Sequence, residues 1–96
     1  MMKGAAMVRY SLIAKGTVQG VGFRFHCQRI ALDLGITGWV QNLFDGSVQI
    51  EIQGTQVQTE QFISKIKERN FMIEVTQLTK TSIPIVEGEK KFRVIY

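Results

Sequence analysis

The run Gly16-Thr17-Val18-Gln19-Gly20-Val21-Gly22-Phe23-Arg24 combines spaced glycines with a closing arginine, a pattern suited to holding an anion. Glycines at 20 and 22 let the backbone take φ > 0 and approach a ligand, so successive N–H groups can converge on a phosphate or carboxylate. A helical pattern starts at Phe23, and a helix N-terminus carries a partial positive charge that favours an anion. Arg24 would add a planar, permanently charged fork. A cation is unfavourable at that end of a helix unless something negative sits beside it.

Two common glycine loops are excluded by the residues on the C-terminal side of the glycines. A Walker loop needs Gly-Lys and then Ser or Thr, whereas Gly22 precedes Phe23 and Arg24. A dinucleotide turn starting at Gly20 needs a third glycine where Phe25 stands, and a parallel βαβ unit with an acidic residue about 20 residues on. With the glycine pair alone, plain chain reversal is the better account of the pattern.

The elements that must position this loop emerge from periodicity. Val8 to Ala14 nearly alternates, with Val8, Tyr10, Leu12 and Ala14 on one side, which predicts a first strand. Phe23, Cys27, Ile30, Ala31 and Leu34 share one helical face, and Gly35 is a natural stop. Trp39 to Asn42 then leads into Phe44-Asp45-Gly46, and Asp-Gly between β-rich segments signals a hairpin whose second strand is Ser47 to Gln53. Thr55 is placed to cap a second helix with Val57, Phe62, Ile63 and Ile66 as its apolar stripe. Ile73 to Thr81 and Phe92 to Tyr96 read as further strands, separated by a polar loop containing Glu87 to Lys91. The order is βαββαβ, for which the expected α+β architecture is two helices on one face of a four- to five-stranded antiparallel sheet. Trp39 is expected in the core or facing a helix.

Bulk properties narrow the class. The 96 residues suit one small domain, 8–96, preceded by a flexible N-terminus, 1–7. With 45% apolar and 21% charged residues the chain is far from disordered compositions. A net charge of +4 favours anionic ligands without arguing by itself for nucleic acid or membrane. One cysteine, Cys27, and one histidine, His26, leave no cluster for a disulfide or a soft metal site, and no membrane span or signal peptide is evident. A cytoplasmic protein is expected. His26 reads as a surface histidine and Cys27 as a buried thiol.

Gly38-Trp39-Val40-Gln41-Asn42, with Gly46, Val48 and Gly54 after it, completes a second pattern. Together with Gly16 to Arg24 it resembles the two signatures of the acylphosphatase family. The resemblance is dense over residues 8 to 54 and loose from Asn70 onward, where Asn70-Phe71-Met72 replaces a Gly-Pro pair. It implies a ferredoxin-like fold and hydrolysis of the carboxyl–phosphate anhydride of acylphosphates, with no metal or cofactor. It also implies roles for particular residues. Arg24 binds the phosphate, Asn42 orients the attacking water, and the backbone of Gln19, Gly20, Val21, Gly22, Phe23 and Arg24 forms the phosphate-binding loop. Without the resemblance, Asn42 before a hairpin reads as a turn former.

The chemistry suits those residue types. The leaving carboxylate is already a good leaving group, so the protein has mainly to hold phosphoryl oxygens and align a water. An asparagine amide does not titrate and can only align that water. No base is attached to either motif, so an oxygen of the substrate is expected to take the proton. The implied partners are a small acylphosphate and inorganic phosphate, as product and inhibitor, with the protein a monomer and no nucleic acid or membrane involved. The alternative is a non-catalytic anion- or RNA-binding module of the same order. RNA recognition, however, needs a Lys/Arg-Gly-Phe/Tyr-Gly/Ala-Phe-Val-x-Phe/Tyr strand that neither Val8 to Ala14 nor Ser47 to Gln53 supplies.

Overall fold

Alternation in the first strand carries through to a sheet that buries one of its faces under helices. The computed structural model describes residues 6–96; of the segment expected to be flexible, residues 1–5 lie outside the described residues, and Met7 already begins a strand. The elements are β1 (Met7–Thr17), α1 (Phe23–Leu34), β2 (Thr37–Asn42), β3 (Val48–Thr55), α2 (Gln56–Lys67), β4 (Glu74–Ile83) and β5 (Phe92–Ile95). The sheet is five-stranded in the order β4-β1-β3-β2-β5. Three pairings are antiparallel, but β5 runs parallel to β2, so the sheet is mixed rather than antiparallel throughout. A parallel partner requires a long return connection, and residues 84–91 supply it by crossing the sheet from the β4 edge to the β2 edge.

Leu12 and Ala14 of β1, Val48, Ile50 and Ile52 of β3 and Val40 of β2 form the buried sheet face. Phe23, Cys27, Ile30 and Ala31 of α1 and Phe62 and Ile66 of α2 cover it. Each large side chain so buried contributes about 1.5–3 kcal/mol. The helix ends are specified locally. Gly35 ends α1 in the left-handed region, and Ile36 N–H donates to the Ala31 carbonyl at 2.8 Å. Thr55 and Gln58 form a reciprocal capping box at the start of α2, and Gln58 Nε2 also donates to the Leu34 carbonyl at 2.8 Å, tying the two helices together.

Two apolar expectations are corrected. Val57 is exposed, and Thr59 takes the inward position because its hydroxyl is satisfied by donating to the Gln56 carbonyl at 2.9 Å. Trp39 pairs with Glu51 and Arg93 and is half-buried on the face away from the helices, since its neighbour Val40 fills the core. That outer face is not wholly open. Arg9, only 2% exposed, bonds Glu51 and Glu89, while Gln53 exchanges hydrogen bonds with the Val86 backbone, so the 84–91 connection is fastened across β1 and β3.

β2 reaches its register only because Gly38 adopts φ 137°, where a Cβ would coincide with the Glu51 carbonyl. Backbone strain and overlap together make Gly38→Ala an expected loss of about 3 kcal/mol or more. For a domain of this size that lowers Tm by about 12–24 °C in a calorimetric scan. An unchanged Tm would contradict this register of β2 on β3.

Candidate active site

The loop from β1 to α1 leaves the sheet at Thr17 and is anchored by buried Val18. Gly20 (φ 74°) and Gly22 (φ 79°) then bend it through the left-handed region. A Cβ at either glycine would meet nothing within 4 Å, so conformation rather than crowding is what calls for glycine here. Gly22 is the N-cap of α1 and offers no side-chain cap, leaving the first-turn N–H groups to an external acceptor.

Arg24 stands in that first turn. Its Nη1 donates to the Ile95 carbonyl at 3.1 Å, and its guanidinium carbon lies 5.0 Å from the centre of the Tyr96 ring. Phe25 packs against the same ring, with centroids 6.5 Å apart. The arginine is thus held by the end of β5, and most of its five donors remain for a ligand. Sequence reasoning places neither Tyr96 nor the Ile95 carbonyl at the site. Their arrival depends on the parallel register that sets Gln41 beside Ile95, a pairing with no local sequence signal.

Asn42 ends β2 opposite Val48. Beyond it the hairpin is closed by Leu43 N–H donating to the Ser47 carbonyl at 2.9 Å, while Asp45 accepts from the Ser47 N–H at 3.0 Å. Bonds from the Ser47 hydroxyl and N–H hold the Asp45 carboxyl below its ordinary range. The side-chain oxygen of Asn42 is buried and accepts no hydrogen bond from the described residues. Buried acceptors are seldom left so. Gln19 reaches the same hairpin: its Nε2 donates to the Leu43 carbonyl at 2.7 Å and to the Ser47 carbonyl at 2.8 Å.

A cavity of about 130 Å³ brings the two motifs together, lined by Val18, Gly20, Gly22, Phe23, Arg24, Phe25 and Asn42. Its volume is well below the roughly 300–1,000 Å³ of pockets that enclose whole organic ligands, so it suits one small anionic group with the remainder outside. Of the residues expected in the site, Gly20, Gly22, Phe23, Arg24 and Asn42 line this space. Gln19 and Val21 belong to the loop but do not line it. The Phe23 side chain is buried in the core, so it contributes to the cavity through its backbone. Cys27 is also buried, which pushes its thiol pKa up and makes it inert. His26 lines other depressions, one of about 490 Å³ between α1 and α2, and burial first, then Arg29, lowers its pKa. It is absent from the lining of the cavity that holds Arg24 and Asn42.

The family model for acylphosphatase matches residues 10–94. The acylphosphatase of Clostridium beijerinckii is 44% identical over 90 residues, covering 94% of this chain and 100% of that protein. That of Ligilactobacillus salivarius is 46% identical over 91 residues, covering 94% and 100%. The crystal structure of acylphosphatase from Bacillus subtilis superposes with a TM-score of 0.87 at 34% identity, covering 93% of this chain and 99% of that one.

Proposed function

This chain belongs to the acylphosphatase family, hydrolases of acylphosphates, and on that premise we propose that Arg24 and the loop amides bind the phosphoryl group while Asn42 aligns the water that attacks it. The observation that carries this reading is that Asn42 lines the same small cavity as Arg24 and the Gly20–Gly22 turn. With the phosphoryl group against Arg24 and the helix N-terminus, its oxygens meet fixed donors, and one such donor is worth about 3 kcal/mol in the transition state. A water accepted by Asn42 then forms the new O–P bond. The bond from phosphorus to the acyl oxygen breaks, the carboxylate leaves with the electron pair, and the water proton passes to a phosphoryl oxygen. Arg24 is the cavity's one titratable lining residue, which supports a route through the substrate itself.

In this reading the acyl part lies outside the cavity toward Phe25, the product phosphate competes with substrate, and the protein works as a cytoplasmic monomer without metal or cofactor. Among the described residues no helix is long and apolar enough to cross a membrane. A nucleic-acid platform would need stacking aromatics on the outer faces of β1 and β3, where Arg9, Ser11, Ile13, Gln49, Glu51 and Gln53 stand instead.

Phosphate release from benzoyl phosphate tests the proposal. Turnover is expected to persist in excess EDTA and to be competitively inhibited by inorganic phosphate. The kcat–pH profile of His26→Ala is expected to match that of the native protein. Loss of activity with EDTA, restored by a divalent metal, would refute the metal-free route; an ionisation near neutrality that disappears in His26→Ala would refute the proton route.

A further inference from the structure

From the two hydrogen bonds of the Gln19 side chain we infer that Gln19 is a positioning residue, which sets the place of Asn42 relative to the phosphate loop. The inference rests on the proposed role of Asn42 and goes beyond the backbone contribution ascribed to Gln19. The relevant geometry is specific. The loop carrying Gly20 and Gly22 and the hairpin after Asn42 belong to different parts of the chain, and the sheet fixes their separation only through β1, β3 and β2. Gln19 bridges that gap directly. Both of its amide protons are committed, one to Leu43, the residue after Asn42, and one to Ser47, whose carbonyl already closes the hairpin by accepting from Leu43 N–H. The acceptors are carbonyl oxygens, so the side chain must present nitrogen to both.

The hairpin tip gives little other restraint. Phe44, Asp45 and Gly46 are all exposed, and Asp45 bonds only within the turn. Without Gln19 the Leu43 and Ser47 carbonyls keep only the hairpin's own donors, Gly46 N–H and Leu43 N–H, and the tie that fixes the end of β2 against the phosphate loop is lost. A displacement of that end harms alignment of the water more than capture of the phosphate, because Arg24 is held separately by the Ile95 carbonyl and the Tyr96 ring.

Gln19→Met keeps length and volume but removes both donors. Its kcat on benzoyl phosphate is expected to fall roughly 10- to 100-fold, in line with the cost of misplacing a reacting group by about 1 Å. Calorimetric affinity for inorganic phosphate is expected to stay within about 2-fold, since loss confined to kcat marks an interaction needed only for the chemical step. Gln19→Glu sets a carboxylate against the two carbonyls; its activity is expected to be lower still at neutral pH and to recover in part as the pH falls and the protonated acid can donate. Wild-type kcat in Gln19→Met, even with a lowered Tm, would overturn the inference, as would a parallel loss of phosphate affinity or a Gln19→Glu pH profile that tracks wild type.

A measurement on the native protein covers the case in which the variants do not fold. By NMR the Gln19 side-chain amide protons are expected to exchange slowly with solvent, and fast exchange would overturn the tie. If native protein shows slow exchange but does not hydrolyse benzoyl phosphate, the tie stands and the hydrolytic reading falls.

Discussion

Arg24→Ala is expected to bind no measurable inorganic phosphate and to lose about 10³-fold or more in kcat/KM, since a single preorganised donor is already worth 10²–10³ and this change also removes a charge. Stability should not track activity. Arg24 is half-buried and, among the described residues, its side chain donates to the Ile95 carbonyl, while its charge lies at the unfavourable end of α1. Removing a cation from a helix N-terminus is worth about 0.3–1 kcal/mol in the stabilising direction, which offsets the lost contact with Tyr96. A thermal melt close to native together with absent phosphate binding is therefore the expected pair of results. Arg24→Lys is not expected to restore activity, because an ammonium cannot keep the Ile95 bond and stacking on Tyr96 while presenting a planar fork to the phosphate.

Asn42→Ala is expected to lose nearly all turnover, about 10³-fold in kcat, while binding phosphate as well as native protein does. Alignment of the nucleophile is worth a large part of the barrier when the leaving group needs no assistance. The asparagine oxygen accepts no hydrogen bond from the described residues, so its deletion leaves no partner among them stranded. Deleting a buried acceptor that is unsatisfied within the protein should leave Tm unchanged or slightly raised. Steady-state kinetics and a melting curve check both halves of this expectation. A variant with native kcat would remove Asn42 from the mechanism.

Much of this site is legible in the sequence because it depends on local conformations. Gly20 and Gly22 are required by their own φ values, Gly35 by the end of α1, and Thr55 by the capping box, and each of these leaves its mark in residue type at a fixed place. The alternation of Leu12 and Ala14 in β1 and the Asp45-Gly46 turn likewise place the core face and the hairpin. The features that sequence reasoning misses are set by tertiary context. A four-residue strand such as Phe92–Ile95 carries no sign of its direction, so neither the parallel pairing nor the delivery of Ile95 and Tyr96 to Arg24 can be inferred from it. The size of Trp39 suggests the core, although its alternation with Val40 already puts it on the other face. Arg9 looks like an ordinary outward strand residue until the 84–91 connection brings Glu89 and Val86 across it. Gln19 is legible as part of the loop, but its side-chain role requires knowing how near the hairpin comes.

The division of labour between holding and attacking is the central claim, and calorimetric titration of inorganic phosphate into folded Arg24→Ala and Asn42→Ala tests it most directly. No binding in the first and native affinity in the second, with both inert toward benzoyl phosphate, is the predicted result. Retained affinity in Arg24→Ala, or equal loss in both variants, would contradict it.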